Sequence, residues 1–262
     1  MEIKNQNNLR ERIINKLLGL IYRLDNSGNS FLDQNGEENF INQFISQAEV
    51  KAPVIFDVGA NVGNYSQLLV KKLKGAKYAI HLFEPQRSCF NELQQRFYKN
   101  EQVNINNFGL SDSEGESLIY KNEDKSGLTS LYKRNLDFYD MKMNIEEKIE
   151  LKRADQYIQS NNITHIDLLK IDVEGHELAT MSGFGEYLNP DFIDFIQFEY
   201  GGANLDSHVN LLDFYNLLLP FGFKVAKIMP KYLEIRDYKP RADNFVYSNY
   251  VAISGRLLKE IH

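Results

Sequence analysis

Two hydrophobic periods alternate along the chain. Residues 8–23 place Leu9, Ile13, Ile14, Leu17, Leu18 and Ile21 at helical spacing, with Arg and Lys opposite them. That pattern predicts an amphipathic helix, packed on its own domain or a dimer mate, or lying on a partner or a membrane surface. A polar loop at 25–36 leads to a second short helix at 37–48, with Phe40, Ile41, Phe44 and Ile45 on one side. After Pro53 the period changes. Val54 to Val58 is apolar except for Asp57 and reads as a short strand buried on both faces. A helix follows over Tyr65–Leu73, then a strand over Tyr78–Glu84 stopped by Pro85, a helix at 87–99 and a strand over Val103–Phe108. Four more strands are predicted at Ile166–Ile171, Phe192–Tyr200, Phe223–Ile228 and Phe245–Ile253, with helices at 174–182 and 207–219.

The total is seven strands with helices between most of them, the last two following one another without a helix. This is the pattern of a doubly wound, mostly parallel α/β sheet with an antiparallel edge strand, and it suggests a class I methyltransferase (Rossmann-like) fold. The expected organisation is a helical extension over 1–50 and one sheet domain over 51–262. Residues 113–150 break the rhythm. Leu118–Tyr120 and Ile149–Lys152 look like strands, and Phe138, Tyr139, Met141 and Met143 lie in the irregular piece between them. Such an insertion is either a lid or substrate wall, or a β-hairpin covering a sheet edge.

Composition narrows the partners. A formal net charge of -6 and a pI of about 5.5 argue against a nucleic-acid binder that works by neutralising phosphates. One cysteine, Cys89, cannot form an intrachain disulfide and suits a reducing, cytoplasmic setting. The first eight residues are too polar for a signal peptide, and no apolar run approaches the roughly 20 residues of a membrane span.

Candidate chemistry gathers where predicted strands end. Asp57-Val58-Gly59-Ala60-Asn61-Val62-Gly63-Asn64-Tyr65 joins the first strand to its helix. The glycines permit a tight turn, leaving Gly59, Ala60, Asn61, Gly63, Asn64 and Tyr65 against a ligand. This is not the Gly-x-Gly-x-x-Gly dinucleotide spacing, and Asp57 would repel a pyrophosphate. S-Adenosylmethionine fits better, with its ammonium, sulfonium and ribose diol and no phosphate. Glu84, 25 positions after Gly59 and followed by Pro85, ends the second strand where a ribose diol is gripped in doubly wound folds. Gly109, Leu110 and Ser111 follow the third and could reach an adenine.

Asp172, Glu174 and His176 follow the Ile166–Ile171 strand, and Glu199 ends the next. Each has a plainer reading: a helix cap for Asp172, a surface helix residue for His176, a backbone partner for Glu199. Lys170, inside its strand, pairs with Asp172 or Glu199, or points to solvent. Asp172, Glu174, His176 and Glu199 could also hold Mg²⁺ or a similar ion, although their spacing does not demand one.

Phe56 to Ser66, Phe83-Glu84-Pro85, Gly109-Leu110-Ser111-Asp112 and Leu169-Lys170-Ile171-Asp172-Val173-Glu174-Gly175-His176-Glu177 together resemble the FkbM-type S-adenosylmethionine-dependent methyltransferases. The resemblance covers roughly residues 53–253 and is weak over 113–150. It implies methyl transfer to oxygen, on a hydroxyl of a sugar, glycan, polyketide or other small natural product. A hydroxyl must lose a proton in that reaction, which makes Asp172 and His176 the candidate bases, with Glu199 and Lys170 beside them. Two other readings stand beside this one. A nucleic-acid methyltransferase is disfavoured because the strand that should carry a Pro-Pro signature ends Lys170-Ile171-Asp172-Val173. An inactive methyltransferase-like binding module is the second. The amphipathic N-terminal helix is the one hint of a homo-oligomer.

Overall fold

A computed structural model describes residues 8–48 and 52–260. The polar first residues, the boundary expected at 50/51 and His262 lie outside the described residues. Helix α1 (Asn8–Leu24) and α2 (Glu37–Ala48) come first. The parallel unit follows: β1 (Val54–Val58), α3 (Asn64–Lys72), β2 (Ala79–Phe83), α4 (Arg87–Phe97) and β3 (Val103–Asn106). Next come β4 (Gly109–Ser111), β5 (Gly115–Lys121), β6 (Ile145–Arg153), α5 (Ala154–Ser160), β7 (Ile166–Ile171) and α6 (Glu177–Ser182). The chain ends with β8 (Ile193–Tyr200), α7 (Gly202–Ser207), α8 (Leu211–Leu218), β9 (Phe223–Ile228), β10 (Leu233–Ile235), β11 (Ser248–Ser254) and α9 (Gly255–Glu260).

The central sheet runs β10-β9-β11-β8-β7-β1-β2-β3. Its strands from β8 to β3 are parallel, whereas β11 is antiparallel to both neighbours. All seven expected strands are present, and β10 is an eighth. The antiparallel strand β11 is wedged between β8 and β9, and the outermost strand is the three-residue β10, itself antiparallel to β9. Sequence order alone hides this, because the chain returns from β10 to fill a gap between strands already laid down. The helix predicted over 207–219 is α8, which starts later, at Leu211; a separate helix, α7, precedes it and ends where His208 takes a left-handed conformation with φ 59°.

Alternation along β1 sends Phe56 and Val58 to one face and Ile55 to the other. On the first face they meet Ile158 of α5, Met181 of α6 and Phe214 of α8. On the second, Ile55 joins Leu69 of α3, Leu93 of α4, and Phe40, Ile41, Phe44 and Ile45 of α2. Helix α2 is therefore part of the sheet domain's core. Buried groups lock the loop before it in place. Lys227 Nζ on β9 donates to Asp25 (2.6 Å) and Ser27 (2.7 Å), and Asn26 donates to the carbonyl of Ile228 at 2.8 Å. Helix α1 differs from every other long helix: none of its residues is buried.

The 113–150 insertion is an antiparallel β5–β6 hairpin. It extends to a three-stranded sheet because β4 pairs with β6 in parallel. The segment between the hairpin strands lines one wall of the main cavity.

Candidate active site

A cavity of about 820 Å³ opens at the carboxyl ends of β1, β2, β7 and β8, the end where open α/β sheets bind ligands. Gly59 makes the turn at its floor. It sits at φ +80°, and a Cβ there would lie 1.8 Å from the carbonyl oxygen of Asp172. Only a glycine lets the β1 turn and the β7 turn come this close. A Cβ on Gly63 would strike Leu93 and Phe97 of α4. Both glycines thus make room for neighbouring protein atoms, and Gly59 also lines the cavity.

Of the residues expected to hold a cofactor, Gly59, Ala60, Asn61, Asn64, Tyr65, Glu84, Pro85, Gly109, Leu110 and Asp172 line the cavity. Gly63 does not, for the reason just given. Glu84 ends β2 with both carboxylate oxygens occupied by backbone amides, Asn61 N–H at 2.7 Å and Gln86 N–H at 2.8 Å. Burial pushes its carboxyl up to about 7 although both amides favour the charged form. Each oxygen keeps a second lone pair for a ligand hydroxyl.

Asp57 and Ser111 stand behind the wall. Asp57 is fully buried. Its Oδ2 accepts from Ser66 at 2.6 Å, and its Oδ1 has no hydrogen-bond partner, only Lys170 Nζ at 3.6 Å. Asp57 and Glu84 are nonetheless close enough for the charge of Asp57 to help hold the Glu84 carboxyl up. Lys170 lies beneath the cavity with Asp172 Oδ2 at 3.1 Å and the Tyr65 ring centroid at 5.0 Å. Burial works against its charge, but Asp172, Asp57 and Glu37 together raise its pKa above the ordinary lysine range. Lys170 thus lies as a cation between two carboxylates.

The opposite wall is acidic. Glu174 sits in a left-handed turn at φ 51° and accepts from Arg134 Nη1 at 2.6 Å, while burial and Asp172 push its carboxyl up to about 8. Glu199 lines the cavity, and no hydrogen bond reaches its carboxylate among the described residues. Burial first, then Asp172, Glu174 and Glu177, hold its pKa well above the usual range. Glu177 is structural: its Oε1 accepts from Val173 and Gly175 N–H, both at 3.1 Å, and closes the turn. His176 has both ring nitrogens occupied, Nε2 by Ser111 Oγ at 2.9 Å and Nδ1 by the Tyr132 hydroxyl at 3.1 Å. Burial lowers its pKa.

Asp172, Glu174, His176 and Glu199 share the cavity but do not converge as metal ligands. Among the described residues, the one set of His, Cys, Asp or Glu whose ligand atoms all lie within 4.8 Å of one another is His165, Asp167 and Asp194, at the other end of the sheet.

The profile of the methyltransferase FkbM domain matches residues 57–238. The chain belongs to the FkbM methyltransferase family. Its fold is the class I, Rossmann-like one. Methyltransferase sdnD of Sordaria araneosa is 29% identical over 160 residues, covering 51% of this chain and 61% of that protein. The hexuronic acid methyltransferase AglP of Haloferax volcanii is 25% identical over 154 residues, 58% of this chain and 57% of that protein. The chain thus matches about three fifths of the length of these relatives. A crystal structure of an FkbM methyltransferase from Methylobacillus flagellatus aligns with a TM-score of 0.48 at 17% identity, over 76% of this chain and 43% of that one.

Several lining residues were not singled out in the sequence. Glu37, the first residue of α2, lies outside the family match, yet it is buried and faces the cavity. Gln197 donates to it at 2.6 Å, and Tyr65 donates to Gln197 at 2.7 Å. One signal was available: Gln197 interrupts an apolar strand, and a buried amide must find partners. Arg134, from the insertion, bridges Glu174 and Asp206 (3.3 Å), and Ser130 Oγ donates to the carbonyl of Glu174 at 2.7 Å. These contacts latch the insertion onto the Asp172–His176 turn. No local pattern marks them, because their partners lie about 40 residues or more away in sequence.

Proposed function

We propose that this protein is an S-adenosylmethionine-dependent O-methyltransferase acting on a hydroxyl of a small natural product, sugar or glycan. One observation carries the reading: a single cavity has Glu84 on one wall and Glu37, Asp172, Glu174 and Glu199 on the other, against three lining cations, Lys125, Lys170 and Arg134, of which Lys125 is already paired with Glu92 at 2.6 Å. Such a surplus of carboxylate suits a ligand with an ammonium and a sulfonium, and it disfavours a phosphate carrier. The named activity of AglP supports a sugar-type acceptor as one member of the class.

When bound, S-adenosylmethionine supplies a methyl group already activated on sulfur. The chain's own task is alignment and proton removal. Glu84 accepts from the ribose hydroxyls, and the Gly59–Asn61 turn supports the nucleoside. Glu199 takes the proton that the acceptor hydroxyl loses; it lines the cavity, and no hydrogen bond reaches its carboxylate among the described residues. His176, tied at both nitrogens, positions the wall with Ser111 and Tyr132. The buried thiol of Cys89, pushed up to about 12 by burial, is inert, which agrees with a cytoplasmic setting.

The test is labelled methyl transfer to candidate acceptors, with calorimetric binding of S-adenosylhomocysteine alongside. Glu199→Gln should cut kcat by about 100-fold or more and leave that binding intact. Turnover unaffected by Glu199→Gln would overturn the base assignment. Binding without turnover on any acceptor would favour the inactive binding module.

A further inference from the structure

Each cation that lines the main cavity is already committed to a carboxylate. Lys125 lies 2.6 Å from Glu92. Arg134 bridges Glu174 at 2.6 Å and Asp206 at 3.3 Å. Lys170 Nζ lies 3.1 Å from Asp172 and 3.6 Å from Asp57. His176 is hydrogen-bonded at both ring nitrogens. A carboxylate or phosphate on the acceptor would therefore meet no unpaired positive side chain among the described lining residues. It would be desolvated beside acids without a partner of its own, which is costly.

Two lining carboxyls have the opposite need. Glu37 and Glu199 form no ion pair among the described residues. Glu37 is 5% exposed, and its two oxygens accept only from neutral amides, Gln197 Nε2 and Asn35 Nδ2, both at 2.6 Å. Each oxygen keeps a lone pair for a further donor. Burial raises both carboxyls, as it does where counter-charge is missing. The two acids share a side of the sheet. Glu199 stands two residues beyond Gln197 on β8, so it projects from the same face as the amide that holds Glu37. Strand order is β8-β7-β1-β2, and with strands about 4.8 Å apart Glu199 stands about 14 Å across the sheet from Glu84. A ribose held on Glu84 leaves the β8 end of the cavity to the acceptor.

We propose that the acceptor is a cationic amino alcohol, such as an amino sugar, whose ammonium pairs with Glu37 while its neighbouring hydroxyl faces Glu199. The proposal rests on the methyltransferase reading above and narrows its acceptor class: carboxylated and phosphorylated acceptors are rejected, because the site holds acids for them to meet and no free cation. Glu199 takes the hydroxyl proton as the oxygen–methyl bond forms and the sulfur–methyl bond breaks, leaving neutral sulfur on S-adenosylhomocysteine. Paired with Glu37, the amine stays protonated. It then has no lone pair with which to compete for the methyl group, so transfer goes to oxygen.

Matched acceptors test it on the unmodified chain: glucosamine, glucose and glucuronic acid as one set, serinol, glycerol and glyceric acid as another. Within a set the amine should show the highest kcat/KM, about tenfold or more above the neutral member, with the acid lowest. Its product should carry an O-methyl group and an intact primary amine by NMR. Glu37→Gln should raise KM for the amine about tenfold and leave S-adenosylhomocysteine affinity within about twofold. The proposal is overturned if neither amine exceeds its neutral counterpart, or if the product is N-methylated. It is also overturned if Glu37→Gln weakens S-adenosylhomocysteine as much as the amine, because Glu37 would then hold the donor's ammonium. Binding of S-adenosylhomocysteine to the unmodified chain separates the two failures: retained, it leaves the methyltransferase reading standing; absent, it removes both.

Discussion

Both ends of the central sheet gather carboxylates around a histidine, and they resolve the charge in opposite ways. At the amino ends of β7 and β8, Asp194 accepts from His165 at 3.2 Å and from Arg256. Burial would raise the Asp194 pKa, but these two partners bring it below its ordinary value, and the bond to Asp194 raises that of His165. At the carboxyl ends, Glu37, Glu84, Glu174 and Glu199 are all raised, chiefly by burial. The first cluster has its counter-charge built in and holds strands together. The second lacks the counter-charge that would hold its buried carboxyls ionised, and a bound cation would supply it. Three side chains close enough to suggest a metal thus sit at the end that already has its cation, and the family match alone would not separate the two.

The largest effect should come from filling the floor of the cavity. Gly59→Ala places a methyl group 1.8 Å from a backbone oxygen at a φ that side chains resist. A loss of about 3 kcal/mol or more is expected, read as a Tm drop on the order of 10 °C. A Tm within a degree or two of the parent would mean that the β1 and β7 turns are not locked as described.

Removing Glu84 distinguishes the two ends by function. Glu84→Ala deletes an acceptor for two ligand hydroxyls, and charge-assisted bonds contribute about 1.5 kcal/mol or more each. Calorimetry should show S-adenosylhomocysteine binding weakened roughly 100-fold. Asp194→Ala should leave that affinity unchanged. Equal losses in both variants would erase the distinction between the ends.

What the sequence shows and hides follows the same division. Asp57, Gly59, Glu84 and Asp172 stand at strand ends, where period and spacing mark them. Of these, Asp57 lies behind the cavity wall, because alternation along β1 turns it toward Lys170 and α3. Glu37 and Arg134 reach the cavity from a helix and an insertion whose local patterns look like surface. Only tertiary packing brings them in, and the clue was indirect: a glutamine in an apolar strand implies a polar partner somewhere. The wedging of β11 between β8 and β9 was equally illegible, since periodicity identifies strands without ordering them.

A pH titration should sharpen the comparison at the upper end. Glu84 must be ionised to accept two hydroxyl donors, and its carboxyl titrates near 7. Affinity for S-adenosylhomocysteine should then rise about tenfold between pH 6 and pH 8. Glu84→Gln should bind weakly and without that slope. A flat profile in the unmodified protein would remove Glu84 from the ligand's contacts.

The smallest effect belongs to the lower end and concerns stability alone. Asp194→Ala removes a partner from His165 and Arg256, both partly exposed, so the loss is about 1 kcal/mol or less. Its pH dependence has a definite sign. The His165 pKa is raised in the folded state, so its contribution is complete below the unfolded value near 6.5 and fades as pH rises through the folded value. Asp194 is lowered, so its contribution is present above the unfolded value near 3.8 and fades only in acid. The Tm gap between parent and Asp194→Ala should therefore be wider at pH 6 than at pH 8, where the Arg256 contact alone persists. A gap that widens toward pH 8 would show that His165 is not charged in the folded protein, and this end of the sheet would then be held by Arg256 alone.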